Sequence, residues 1–139
     1  MSAAFILDAS VALTWLFVDE RTAPTQELLD RLNQETALIP SWLHIEIANI
    51  IALAERRGRV TSFQTASFLS DLARLDLELD VEGPGRAYSH MLPLCRAHGL
   101  TCYDAVYLDL ALRRQLPLAT LDDALRRAAK KLGVNLLGK

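Results

Sequence analysis

Short apolar runs that end in a polar residue and lead straight into a helix-length segment recur along this chain, and no other feature limits its fold as tightly. The first is Phe5-Ile-Leu-Asp8-Ala-Ser10, ahead of an apolar segment that begins at Val11. Ala4–Leu7 reads as a strand and Ser10–Phe17 as a helix. Ala37–Ile39, closed by Pro40, is a second short strand, and Leu116–Ala119 and Val134–Leu137 are two more. Leu75-Asp-Leu-Glu-Leu79 alternates with period two, the pattern of an edge strand with one wet face. Between these runs the spacing predicts helices over 22–33, 41–57, 61–73, 83–98, 101–115 and 122–132. Ser41 is placed to cap the second of these and Gly58 to stop it. Strands separated by helices of about ten residues or more need crossovers, which give a mainly parallel sheet covered on both faces. The fold class is α/β: three layers, α/β/α, around four or five strands.

A chain of 139 residues is one domain's length, 1–139, and buries roughly two thirds of its unfolded surface. With 51% apolar residues and a mean hydropathy of +0.16, it does not have the composition of a disordered polymer. No repeat or linker divides it. No apolar run reaches the ~18 residues of a spanning helix, and Asp8 breaks the first run with no basic stretch before it. Neither a membrane nor a secretory route is expected, so the expected location is cytoplasmic. Cys95 and Cys102 lack zinc-ligand spacing and read as reduced, structural thiols. The net charge of −2 is uneven, at +5 from Arg113 onward and −7 before it. Such a chain can meet a polyanion at its basic end and hold cations elsewhere.

Four carboxylates stand where a fold of this class does not need them. Ligands of an open α/β sheet collect at the carboxyl ends of its strands, and Asp8 follows the first. On the helix over 41–57, Trp42, Leu43, Asn49, Ile50 and Leu53 fall within about 60° of Glu46 at 100° per residue, while His44 and Glu55 lie opposite. A buried, unpaired carboxylate costs several kcal/mol or shifts its pKa upward. Either an arginine or a wet groove edge accommodates Glu46, or it meets a cation beside Asp8. Asp104 lies with Leu108 and Ala111 on its helix, with Asp109 and Arg113 as an i, i+4 pair on the far side. Thr101-x-x-Asp104 also has the form of a capping box. Asp122 follows the strand Leu116–Ala119, and both it and Asp8 are in position to act as N-caps. Taken together, four such acids in one cleft repel unless a cation is bound. Oxygen donors without His or Cys select Mg2+ or Mn2+. The chemistry implied is metal-assisted phosphodiester hydrolysis.

Asp8-Ala-Ser10 after an apolar strand, Glu46-x-x-Asn49, Thr101-x-x-Asp104-Ala-x-Tyr107 and Leu118-Ala-Thr120-x-Asp122 resemble the PIN-domain nucleases, and among them the VapC-type toxins of type II toxin–antitoxin pairs. The likeness covers nearly the whole chain in length and element order. It implies a PIN-like fold and metal-dependent endonucleolytic cleavage of RNA with Mg2+, or Mn2+, as cofactor. It also implies inhibition by a small antitoxin and, frequently, a homodimer. Its acidic quartet falls on Asp8, Glu46, Asp104 and Asp122, its supporting hydroxyls on Ser10 and Thr120, and its helix amide on Asn49. Asp123 is an adjacent carboxylate able to supplement or replace Asp122. Arg126, Arg127, Lys130 and Lys131 form two i, i+4 ladders beyond it. They are read as a solvated face or as contacts to RNA phosphates or an acidic antitoxin.

Two other acid-bearing α/β designs fit less well. A receiver-type signalling domain needs a carboxylate pair after the first strand and a lysine after a late one, and this chain has Asp8 alone, Asp80 further on and no lysine near Thr120. A haloacid-dehalogenase-type phosphatase needs a second Asp where Ser10 stands. The remaining alternatives are a PIN-like RNA- or protein-binding module without catalysis, and a housekeeping RNA-processing nuclease without an antitoxin.

Overall fold

A computed structural model describes residues 2–139. Phe5–Leu7 (β1), Ala37–Pro40 (β2), Leu77–Asp80 (β3), Leu118–Ala119 (β4) and Leu136–Leu137 (β5) form one parallel sheet in the order β3-β2-β1-β4-β5. Every residue of β1 and β2 is buried, as expected of parallel strands covered on both faces. Seven α-helices surround the sheet: Ala9–Ala12 (α1), Ala23–Arg31 (α2), Leu43–Arg56 (α3), Ser62–Ala73 (α4), Leu92–His98 (α5), Cys102–Arg114 (α6) and Asp123–Lys131 (α7). The fold is of the α/β class expected, with five strands.

The order of the strands places the site. From β1 the chain steps outward through β2 to β3, then returns across the sheet to lay β4 on the other side of β1. The direction of winding therefore reverses between β1 and β4, which is where open α/β sheets hold their ligands. Asp8 leaves β1 and Thr120 leaves β4 at that point, with Ile6 in register with Leu118 and Leu7 with Ala119.

Several elements differ from the sequence expectation, each for a local reason. The helix expected over 10–17 is α for only 9–12 and then tightens to a 3-10 turn over Leu13–Trp15. The Thr14 hydroxyl donates back to the Val11 carbonyl at 2.7 Å, a bond that competes with the helical ladder. The helix expected over 83–98 divides into a 3-10 turn (Gly83–Arg86), a π turn (Ala87–Met91) and α5. Pro93 has no N–H to give the turn before it, so the ladder there changes register. Ser41 caps nothing. Trp42 is the N-cap of α3, with no side-chain cap bond.

Strand β3 lies at the sheet edge as expected, but its faces are inverted at the end. Leu79 is 47% exposed and Asp80 is buried. The i, i+4 pair Asp109–Arg113 does not form. Asp109 is buried and takes Arg86 through two bonds of 2.7 and 2.9 Å. Arg113 reaches instead to both oxygens of Asp80, at 3.0 Å each, and to Glu82 at 2.6 Å. Two largely buried arginines thus bolt β3 and the 3-10 turn to α6.

Candidate functional site

Asp8 is the N-cap of α1 and Asp122 that of α7, yet neither side chain makes a cap hydrogen bond. The local explanation for both acids therefore falls away. At the first turn of α6 the Thr101 hydroxyl accepts the Asp104 amide at 3.2 Å, so the cap belongs to the threonine. On α3 the buried stripe is Leu43, Ile47, Ile51 and Ala54. Glu46 lies at its flank, half-buried, with Asn49 and Leu53 exposed beside it, so the face expected to be apolar around Glu46 is partly open to solvent.

Asp8 is the anchor of the cleft at 5% exposure. One of its oxygens, Oδ2, accepts the hydroxyls of Ser10 and Thr120, both at 2.6 Å. Each hydroxyl is itself fixed by a backbone amide: Leu121 N–H donates to Ser10 Oγ at 2.9 Å and Asp122 N–H to Thr120 Oγ1 at 3.1 Å. Two strand ends that lie 112 residues apart are thereby tied to one carboxylate oxygen. Oδ1 takes no side-chain hydrogen bond.

The acids feel one another. Burial pushes the Asp8 carboxyl above its usual range, the two hydroxyls and the Ala9 amide pull it partly back, and the charge of Asp122 adds to the rise. Burial pushes Glu46 up to about 7, opposed by the Tyr107 hydrogen bond and assisted by Asp8 and Asp104. Asp104 is raised by burial and then by Asp122 and Asp8. Among the described residues no Lys, Arg or His pairs with any of the four. By contrast Asp123, one position beyond Asp122, is exposed and bridges Lys139 at 3.0 Å.

Tyr107 is the residue that sequence reasoning left without a role. Its ring is fully buried and its hydroxyl donates to Glu46 Oε1 at 2.9 Å. Burial, followed by the charges of Asp8 and Glu46, raises the phenol pKa and keeps the group a donor. The signal was present in the sequence: a buried tyrosine hydroxyl needs a partner, and Tyr107 is one turn from Asp104 on the same face.

Arg126 is half-buried and not on a solvated face. Its guanidinium donates to the carbonyls of Thr120 at 2.7 Å and Leu137 at 3.0 Å, closing the ends of β4 and β5. Arg127, Lys130 and Lys131 are exposed.

All-oxygen donors, excess negative charge and an uncompensated Asp8 fit a hard divalent cation in donor type and charge. Among the described residues, however, no three His, Cys, Asp or Glu side chains converge as a finished ligand set. Waters would complete the coordination, as they do where Mg2+ is held by one or two carboxylates.

A family model described as PIN domain matches residues 5–131. Among solved structures the chain is similar to the crystal structure of PAE2754 from Pyrobaculum aerophilum, at 23% identity and a TM-score of 0.68. That match covers 96% of this chain and 83% of the other. At this level of identity the likeness is one of fold. No curated protein matches.

Proposed function

The chain belongs to the PIN domain family, and from that premise we propose that it is a Mg2+-dependent endoribonuclease, the toxin of a toxin–antitoxin pair. PIN domains are generally nucleases and often metal-dependent, which makes the chain a nuclease at the coarse level. One observation supports the finer reading: Asp8, Glu46 and Asp104 feel one another's charge and that of Asp122, and among the described residues none of the four pairs with a Lys, Arg or His. The toxin assignment is supported by the VapC-like motifs around Asp8, Glu46, Asp104 and Asp122. We take the chain as a single domain, acting in the cytoplasm as a homodimer. Among the described residues no helix is long and apolar enough to cross a membrane.

In this reading Asp8, Asp104, Asp122 and Glu46 hold Mg2+ or Mn2+, directly or through water. Such an ion supplies Lewis acidity toward the phosphodiester and acidifies water. Ser10 and Thr120 keep Asp8 from turning by holding its Oδ2. Tyr107 fixes Glu46 through Oε1 and leaves Oε2, with a carboxyl near 7, as the place to hold a proton from attacking water. Asn49 is exposed beside Glu46 on α3. Asp123, engaged by Lys139, takes no part. Arg127, Lys130 and Lys131 offer RNA phosphates or an acidic antitoxin segment a basic track away from Asp122.

Incubation of the purified protein with total RNA tests this reading. Discrete fragments are expected with Mg2+ and none with EDTA, and sequencing their ends identifies the RNA class. Cleavage that persists in EDTA would overturn the metal dependence, and none in either Mg2+ or Mn2+ would overturn the reading in favour of a binding module. Co-purification with a small partner distinguishes a toxin from a housekeeping nuclease.

A further inference from the structure

Outside the cleft, the turn between α5 and α6 brings two reactive side chains together. Cys95, near the end of α5, and Cys102, the first residue of α6, are free thiols with their sulfurs 3.3 Å apart. The contact is imposed by the connection. Gly99 turns left-handed at φ +64, the Leu100 amide returns to the Cys95 carbonyl at 3.3 Å, and Leu100 is buried. Thr101 then caps α6. A disulfide bond of ~2.05 Å needs the sulfurs to close by about 1.2 Å, a displacement within reach of side-chain rotation. Cys102 is exposed and Cys95 half-buried.

We propose that Cys95 and Cys102 form a site of reversible oxidation, which takes a low-molecular-weight disulfide as oxidant and closes an intramolecular disulfide across the α5–α6 turn. The exposed Cys102 sulfur attacks one sulfur of the small disulfide, breaks its S–S bond and releases one thiol. Cys95 then attacks the mixed disulfide at Cys102 and releases the second. The protein loses two thiol protons and two electrons and gains one S–S bond, while the oxidant is reduced to two thiols. The closed bond ties α5 to the turn that carries Asp104, two residues beyond Cys102. Formation of the bond rests on the thiol geometry alone and not on the nuclease reading.

The test is to equilibrate the full chain with reduced and oxidised glutathione in graded ratios, then measure intact mass, peptide linkage and amide exchange. The expected product has lost both free thiols and two hydrogens of mass. It carries a Cys95–Cys102 cross-link that dithiothreitol reverses. In it, amides over 102–105 exchange at least about threefold more slowly than in the reduced protein. The variants Cys95→Ser and Cys102→Ser are expected to stop at a single glutathione adduct or not to react. Adducts without closure in the wild-type chain, or chain-to-chain dimers, would overturn the proposal. Closure with unchanged exchange over 102–105 would overturn the coupling to the turn of Asp104.

Discussion

Helix α6 carries buried acids toward two different neighbourhoods. On one side Asp109 takes Arg86, and Arg113 from the same helix takes Asp80. Burial raises the Asp80 carboxyl, but the hydrogen bonds and charge of Arg113 outweigh it and hold the group below its usual range. On the other side Asp104 faces Asp8, Asp122 and Glu46 with no arginine, and its pKa is raised. The chain thus has arginines to neutralise buried acids and uses them only where the acid serves the fold. The acids left without one are those that the proposed metal site uses.

Breaking the arginine side is expected to produce the largest effect. Arg113→Ala strands Asp80, and removing one partner of a buried pair costs about 3–5 kcal/mol. Urea denaturation should show that loss, and a change under about 1 kcal/mol would mean that Asp80 escapes to water. Asp8→Asn, on the other side, should behave oppositely. RNA cleavage should fall by more than about a hundredfold, beyond the 10- to 100-fold typical of an outer-shell partner, while stability without metal is unchanged or improved. A variant that is less stable yet active would place Asp8 among the structural acids.

Tyr107→Phe removes the bond that orients Glu46 and leaves the ring in place. Cleavage should drop about 10- to 100-fold, with a stability loss of only about 0.5–1.5 kcal/mol. Full activity would free Glu46 from any dependence on that hydroxyl. The smallest effect concerns pH. Glu46 lies near 7 when folded against an ordinary 4.5, so between those values the folded state holds more protons than the unfolded one. Metal-free stability should therefore fall as pH rises from about 4.5 through about 7. Mg2+ should restore it at the upper end, and Glu46→Gln should flatten the slope. A wild-type slope of the opposite sign would mean that another group dominates that range.

Much of the site was legible because it is written next to strand ends. Asp8 and Asp122 follow apolar runs whose only tertiary requirement is to enter a sheet, and the helical period located Glu46 near the inner side of α3. What was not legible depended on partners distant in sequence. Asp109 and Arg113 have ideal spacing for a local pair, yet half-buried Arg86 and buried Asp80 lie beside them and take them instead. Arg126 looked like one rung of a basic ladder because nothing in the sequence says that two carbonyls at the ends of β4 and β5 lie over it. The break at Pro93 was readable in principle, since a proline ten residues into a helical pattern removes a donor.

The strand order has a consequence for synthesis. β2 leaves the ribosome early, but β4, which completes the pocket around Asp8, begins at Leu118. Roughly 80 residues separate the two, about 4–16 s at ordinary elongation rates. Throughout that interval one edge of β1 has no neighbour, and Asp8 lacks the threonine that holds it. A nascent chain therefore cannot complete the surroundings of Asp8 until β4 has emerged.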